Sequence, residues 1–260
     1  MSRTLGLAFG GGGIRGMAHI GLVEELDRRG IRADFVAGTS IGSMMAAFYA
    51  CGMRGEFMAK LMQNMNLKHI LPISPSISGL INGKNYAEFV RLLTKGRSIE
   101  ETEIPLRIVA TDLQAGRMEV FDRGPIWQAV HASSAVPGVF SPAEYGGRLY
   151  ADGCLVDNCP CRTLRDMGAE VVVAVDLDAL SDGSPKQLSA LNKHNVLAVL
   201  QRSLNVVGRN NSSLDYADLV IRPLDQNIYS LDLAKADYAL ERGRVAAAEY
   251  LPAIMELLRE

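Results

Sequence analysis

The chain has 260 residues, of which 48% are hydrophobic and 22% charged, so it can build a large core and we do not expect a disordered chain. Its 27 Lys and Arg residues against 29 Asp and Glu give a net charge of −2 at pH 7, which offers no electrostatic basis for binding nucleic acid. There is no signal-peptide pattern, and no apolar stretch approaches the roughly 18 residues of a membrane span. We therefore expect a soluble, cytoplasmic protein.

The first elements alternate between strand and helix. An apolar strand is predicted at Leu5–Phe9, a glycine-rich loop at Gly10–Gly16 and an amphipathic helix from Met17 to about Arg29. A second short strand, Phe35–Ala37, follows, and a further helix begins near Met44. This βαβα order predicts an α/β fold with a mostly parallel sheet covered by helices.

The turn after the second strand has the pattern of a nucleophile elbow. Gly38 and Gly42 flank Ser40 in a GxSxG sequence between the predicted strand and the predicted helix. A serine at the apex of such a turn is held in a strained conformation with its hydroxyl exposed, and the glycines allow close approach of neighbouring backbone. Ser40 is thus a candidate nucleophile.

The glycine loop is compatible with two kinds of site. Gly11, Gly13 and Gly16 fit the GxGxxG spacing of a dinucleotide-binding loop, but that site also needs an acidic residue at the end of the second strand, and Asp34 precedes the strand instead. The alternative is an oxyanion hole, in which the N–H groups of successive glycines beside the serine hold a negatively charged oxygen.

Two further residues of this loop join the candidate set. Gly12 lies in the middle of the glycine run, and we expect its N–H group to belong to the same oxyanion hole as those of Gly11 and Gly13. Arg15 either supports the loop or the developing charge, or is an ordinary surface or packing residue.

The rest of the chain completes one predicted domain, residues 1–260, because no repeat or linker divides it. A methionine-rich helical segment is predicted from Met44 to about Met65. The stretch from residue 66 to 85 is apolar and poorly periodic, and is either a flap over an apolar substrate or a plain surface loop. Further helices are predicted at residues 85–95, 126–133, 160–167, 196–207 and 237–258, and strands at 106–112, 118–121, 149–152, 171–176 and 219–221.

The cysteines and histidines do not suggest a metal site or a histidine-based triad. The four cysteines lack metal-ligand spacing and are expected to be free thiols (Cys51, Cys154, Cys159 and Cys161). No histidine has the late, strand-end position of a triad base (His19, His69, His131 and His194). A carboxylate must therefore be considered as the base for Ser40.

Three motifs in order resemble the patatin-like phospholipase family: the loop Gly11–Gly16 (GGGIRG), the elbow Gly38–Gly42 (GTSIG) and the pair Asp152-Gly153. The resemblance covers residues from about 5 to 177, with residues 178–260 as a helical and edge-strand extension. It implies a three-layer α/β/α sandwich, a Ser-Asp dyad with Ser40 as nucleophile and Asp152 as base, and an oxyanion hole in the glycine loop. It also implies acyl esters of lipids as substrates, with no metal or organic cofactor.

One departure from the family pattern and several alternatives remain. Cys154 stands where the family usually has Gly or Ala, and it is a second, less suitable nucleophile. A non-catalytic regulatory or adaptor protein on the same fold is one alternative to a hydrolase, and an acyltransferase is another, since both enzymes form the same acyl-enzyme. Any membrane contact would be peripheral, through the segment Leu71–Leu80.

Overall fold

The computed structural model describes residues 3–64, 83–178, 196–226 and 228–259. The segment considered above as a flap therefore lies almost entirely outside the described residues, as do residues 181–195. The strands are β1 (Leu5–Phe9), β2 (Phe35–Thr39), β3 (Leu106–Asp112), β4 (Arg117–Phe121), β5 (Ala143–Tyr145), β6 (Arg148–Asp152), β7 (Val171–Val175) and β8 (Leu219–Ile221). The α-helices are α1 (Met17–Arg28), α2 (Ile41–Ala50), α3 (Gly55–Asn64), α4 (Lys84–Leu93), α5 (Ile126–Ser133), α6 (Cys161–Met167), α7 (Val196–Asn210) and α8 (Ala236–Leu257).

One mixed sheet contains all the described strands. Its order is β5-β6-β3-β2-β1-β7-β8, with β4 paired to β3 off this path. Five consecutive strands in this order, β3, β2, β1, β7 and β8, are parallel to one another. Strands β4 and β6 run antiparallel to β3. The carboxyl ends of β1 and β2 therefore meet at one edge of the sheet, where the glycine loop and the elbow begin.

Helices cover both faces of this sheet. Along β1 the side chains alternate: Leu5, Leu7 and Phe9 belong to the larger core cluster with α1, α2 and α8, whereas Ala8 faces the opposite cluster with Leu164 of α6. Apart from Leu164, the buried side chains of the opposite cluster are Ala, Cys and Val, and α6 lies close enough to β1 that a Cβ on Gly6 would be 3.2 Å from Leu164 Cβ. This arrangement confirms the predicted three-layer α/β/α sandwich.

Strand β3 pairs with two strands along one of its edges, first with β2 and then with β6. This pairing brings the candidate site residues together. Thr39, the last residue of β2, pairs with Val109, and Asp152, the last residue of β6, pairs with the next residue, Ala110. Because β4 pairs with the other side of β3, β2 and β6 must lie on the same side. The ends of β2 and β6 therefore face each other.

Two sequence-based expectations need correction. The methionine-rich segment is two helices rather than one, because Gly52 adopts φ +85° and the chain turns between α2 and α3. Strand β5, which pairs with β6, was not predicted. The other predicted elements within the described residues occur within about four residues of their predicted bounds. Within these same ranges, each helix is too short or too polar to cross a membrane.

Candidate active site

Ser40 occupies the sharp turn between β2 and α2, with φ +56° and ψ −128°. Non-glycine residues rarely adopt a positive φ, so this backbone conformation is strained. The turn is tight because Gly42 lies against the carbonyl oxygen of Phe9, where a Cβ would overlap it. The carbonyl of Ser40 in turn accepts hydrogen bonds from the N–H and O–H groups of Ser43, at 2.9 and 2.6 Å.

The Ser40 hydroxyl donates a hydrogen bond to the carboxylate of Asp152, with 2.5 Å between Oγ and Oδ2. Asp152 is 1% exposed, and its other oxygen, Oδ1, accepts the backbone N–H of Cys154 at 2.8 Å. Burial raises the pKa of Asp152 to about 6, and the hydrogen bonds from Ser40 and Cys154 offset part of that rise. The carboxylate is therefore a stronger base than an exposed aspartate and is still mostly ionised at neutral pH.

Two hydroxyl groups that the sequence did not single out hold this pair in place. Ser133, at the end of α5, accepts the N–H of Ser40 at 2.8 Å and donates to the carbonyl of Val109 at 2.6 Å. Thr111 donates to the carbonyl of Asp152 at 2.8 Å. Both residues belong to elements distant in sequence from Ser40, so no local pattern marks them.

The glycine loop lies beside Ser40, and its N–H groups are used in different ways. Gly11 donates to the carbonyl of Asn158 at 3.0 Å, and Ile14 donates to the carbonyl of Ser230 at 2.8 Å. The N–H groups of Gly12 and Gly13 have no acceptor among the described residues. Only these two of the three candidate glycines have N–H groups available for a ligand.

Arg15 is buried and holds the loop from behind. Its Nε donates to the carbonyl of Gly12 at 2.9 Å, and its Nη1 donates to the carbonyl of Leu177 at 3.3 Å and pairs with Asp178 at 3.0 Å. Of the roles considered for Arg15, support of the loop matches these contacts. The remaining motif glycines lie where a Cβ would overlap a neighbour (Gly16 against Ile41, Gly38 against Gly42 and Gly153 against Val109).

A cavity of about 140 Å³ opens onto Ser40 and Asp152. Most of the side chains that line it are apolar and come from α2, α3, α4, α7 and the segments after α5 and before α8 (Ile41, Met44, Met62, Phe89, Val136, Val139, Phe140, Leu204, Leu231 and Leu233). Two of the methionines from the methionine-rich segment are among them. The cavity is suited to an apolar chain whose polar end lies at Ser40 and Asp152.

The histidines in the described residues are not partners of Ser40. His19 is fully buried, its Nε2 hydrogen-bonded to the carbonyl of Gly10 at 2.8 Å, and burial lowers its pKa to about 4. His131 lies within α5, and burial lowers its pKa as well. His69 and His194 lie outside the described residues.

The cysteines are free thiols, as expected. Cys154 lines the cavity, but burial, with a further contribution from the Asp152 charge, raises the pKa of its thiol. A thiol that stays protonated is a poor nucleophile, which argues against Cys154 in that role. Within the ranges described above, no group of three or more His, Cys, Asp or Glu side chains is placed to hold a metal ion.

Comparison with known proteins gives matches in sequence and in fold. A family model described as Patatin-like phospholipase matches residues 7–165. An uncharacterized NTE family protein of Mycobacterium bovis is 37% identical over 184 residues, covering 70% of this chain and 51% of that protein. Human patatin-like phospholipase domain-containing protein 6 is 33% identical over 183 residues, covering 67% of this chain and 13% of that protein. The chain thus spans about half the length of the first relative and much less of the second.

Among solved structures, VipD from Legionella pneumophila aligns with a TM-score of 0.58 and 16% identity, covering 97% of this chain and 67% of that chain. At that identity the likeness shows a shared fold. The family model covers more than half of the chain, including the glycine loop, the elbow and Asp152. The chain therefore belongs to the patatin-like phospholipase family.

Proposed function

We propose that this protein is a serine acyl hydrolase that cleaves fatty-acyl esters of phospholipids or lysophospholipids. The observation that carries the proposal is the hydrogen bond of 2.5 Å from Ser40 to the buried carboxylate of Asp152, at the end of an apolar cavity. Membership of the patatin-like phospholipase family supports a lipid as the substrate.

In the first half of the reaction, Asp152 takes the hydroxyl proton while Ser40 Oγ forms a bond to the ester carbonyl carbon. The carbonyl oxygen becomes an oxyanion. When this intermediate collapses, the bond to the alcohol breaks and Asp152 returns the proton to the departing oxygen. The acyl chain is left esterified to Ser40.

The glycine loop would stabilise the charge that develops on the carbonyl oxygen. Gly12 and Gly13, whose N–H groups have no acceptor in the described part of the chain, supply the donors for this role, whereas the N–H of Gly11 is engaged by the Asn158 carbonyl. Arg15 would act through the loop, since its guanidinium bonds the carbonyl of Gly12.

In the second half, water replaces the alcohol. Asp152 takes a proton from water as the water oxygen attacks the acyl-enzyme, and the proton then passes to Ser40 Oγ as it leaves. The products are a fatty acid and the restored serine. Transfer of the acyl group to another alcohol in place of water would give an acyltransferase.

Hydrolysis of p-nitrophenyl esters of increasing acyl length tests the proposal, with Ser40→Ala and Cys154→Ala measured beside the wild type. We expect turnover that increases with chain length, because the cavity is apolar, and a loss of at least about 10³-fold in Ser40→Ala. Cys154→Ala should remain active. Turnover that survives in Ser40→Ala would contradict the dyad.

Labelling with a fluorophosphonate separates the enzyme from a non-catalytic adaptor on the same fold. The reagent should modify Ser40 in the wild type and leave Asp152→Ala almost unlabelled, since the hydroxyl then lacks its base. A folded wild-type protein with no labelling and no ester turnover would favour the adaptor.

A further inference from the structure

Asn158 belongs to a segment whose backbone is fixed at several points. Its carbonyl accepts the N–H of Gly11 at 3.0 Å, and its own N–H donates to the carbonyl of Asn211 at 3.3 Å. The preceding residue, Asp157, accepts both the N–H and the O–H of Ser213, at 3.0 and 2.7 Å. Asn158 thus has little freedom to move relative to the glycine loop.

The side chain of Asn158, in contrast, has no hydrogen-bond partner in the part of the chain that the structure describes. The residue is only 7% exposed, and it lines the cavity together with Ser40. The carboxamide atoms are not sealed in the core, where the unpaired side-chain atoms of the described residues are His19 Nδ1 and His131 Nε2, so the amide is open to the cavity and suited to receive a ligand.

The carboxamide lies close to both the glycine loop and the serine. A Cβ built on Gly11 would lie 2.5 Å from Asn158 Oδ1 and 3.2 Å from Ser40 Cβ. These two distances place the carboxamide oxygen within about 5.7 Å of Ser40 Cβ. Rotation about the last side-chain bond exchanges the oxygen and the NH₂ group, so the same position can present a donor.

We propose that the Nδ2–H of Asn158 is a third donor to the oxyanion formed on the substrate carbonyl, beside the N–H groups of Gly12 and Gly13. This assignment rests on the proposed function, because it requires acyl transfer to Ser40. An amide on a fixed segment needs little reorganisation when the charge forms, which is the condition under which such donors are most effective.

The contact with the loop distinguishes this role from others in the cavity. The Asn158 carbonyl accepts the Gly11 N–H and its carboxamide lies against Gly11, next to Gly12 and Gly13, whose N–H groups would hold the oxygen. An acyl chain would gain nothing from a carboxamide, and the cavity offers it apolar side chains instead. Because the negative charge develops only in the transition state, loss of the donor should affect kcat far more than KM.

The test compares kcat, KM and the rate of fluorophosphonate labelling for Asn158→Ala and Asn158→Asp. For Asn158→Ala we expect kcat to fall about 10- to 1,000-fold with KM within about twofold of the wild type. The labelling rate should fall in parallel, because the phosphonyl oxygen occupies the oxyanion position. Asn158→Asp keeps the shape but replaces the donor by a negative charge, so its kcat at pH 8 should be lower still.

Asn211→Ala is the matched control. It removes the hydrogen bond from the Asn211 side chain to the carbonyl of Leu155, 2.6 Å long, in the same segment, and Asn211 does not line the cavity. We expect Asn211→Ala to lower the melting temperature and leave kcat within about threefold of the wild type.

Wild-type kcat in either Asn158 variant, a change confined to KM, or a loss of kcat matched by Asn211→Ala would overturn the assignment. A wild type that is neither labelled at Ser40 nor active on esters would overturn the proposed function and this inference together. A labelled, active wild type with fully active Asn158 variants would overturn the inference alone.

Discussion

As the proposed base for Ser40, the buried carboxylate of Asp152 is under two opposed demands. It must be ionised to accept a proton, yet burial disfavours the charge, and the balance sets the pKa of Asp152 at about 6. The hydrogen bonds from Ser40 and Cys154 keep the pKa from rising further. The result is a base that is mostly ionised at neutral pH while still binding a proton more readily than an exposed aspartate.

The activity should therefore depend on pH through this one group. We expect kcat/KM to be constant above about pH 7 and to fall tenfold per pH unit below about pH 6, as Asp152 becomes protonated. Esters that do not themselves titrate between pH 4.5 and 9 are required for the measurement. A profile that is flat down to pH 4.5 would contradict the role of Asp152.

A second carboxyl could produce the same profile, and a variant distinguishes the two. Burial also raises the pKa of Asp157 to about 6, and this residue bonds Ser213 rather than Ser40. If Asp152 is the base, Asp157→Asn should keep the acidic limb of the profile at the same pH even if its overall activity is lower. Loss of the acidic limb in Asp157→Asn would assign the titration to Asp157 instead of Asp152.

The separate parts of the site differ in how far the sequence predicts them. The strained turn at Ser40 follows from the local GxSxG pattern, because the two glycines and the strand before them are adjacent in the chain. Asp152, 112 residues away, enters the prediction only through the resemblance to a family. Ser133 and Asn158 reach the site through pairing of distant elements, which no periodicity in the sequence encodes.

At the scale of elements, the prediction works where the signal is local. Strand β3 and helix α5 have the predicted bounds, since their apolar patterns end at clear turn or proline signals. The helical segment predicted from Met44 to about Met65 lacks the break between α2 and α3, because apolar residues continue on both sides of Gly52 and conceal it. Strand β5 is only three residues long and depends on pairing with β6.

The packing of α8 on α1 contains an ion pair whose loss should be costly. Arg244 on α8 donates to Glu24 on α1 at 2.6 Å, and the Glu24 side chain is 3% exposed. Arg244→Leu would leave this carboxylate buried without its partner, so we expect the free energy of unfolding to fall by about 2–4 kcal/mol. Urea denaturation measures the change.

Arg32→Leu is the control for this prediction. Arg32 pairs with Glu103 at 2.9 Å, but both side chains are about half exposed, so its removal should cost less than about 1 kcal/mol. Equal effects of the two substitutions would contradict the argument from burial.

At the scale of the whole molecule, the residues beyond 177 extend the structure formed by the motif-bearing part. Strand β8 pairs with β7 in the same sheet, and α8 packs on α1. We therefore propose that residues 1–260 form one cooperative domain. We do not expect the motif-bearing part and the extension to unfold in separate steps.

One cooperative domain predicts a single unfolding transition. Trp127, the sole tryptophan, lies on α5 and packs against the core, so its fluorescence reports on the motif-bearing part, whereas far-ultraviolet circular dichroism reports on all helices. The two transitions should coincide, and Arg244→Leu on α8 should shift both equally. A Trp127 transition that Arg244→Leu leaves unchanged would show that the extension unfolds separately.

The buried charge of Asp152 also affects the stability of the whole molecule. Its pKa is about 6 in the folded protein and about 4 in an unfolded chain, so the folded state binds the proton more tightly. The contribution to stability is therefore fully present below about pH 4 and is lost as the pH rises through 6. At pH 8 the ionised carboxylate lowers the free energy of unfolding by an amount on the order of 3 kcal/mol.

Asp152→Asn removes this charge and keeps the acceptor for the Cys154 N–H group, so this variant, which we expect to be inactive, should be more stable than the wild type at pH 8 and no more stable at pH 4. Asp112→Asn is a control of opposite sign, because hydrogen bonds from the Ala115 N–H and other groups, together with Arg148, lower the pKa of Asp112. That substitution should destabilise the protein at pH 8, and the loss should shrink as the pH falls. Melting temperatures of the wild type and the two variants between pH 4 and 8 test both signs. An Asp152→Asn variant that is less stable than the wild type at pH 8 would show that the ionised carboxylate does not destabilise the folded state.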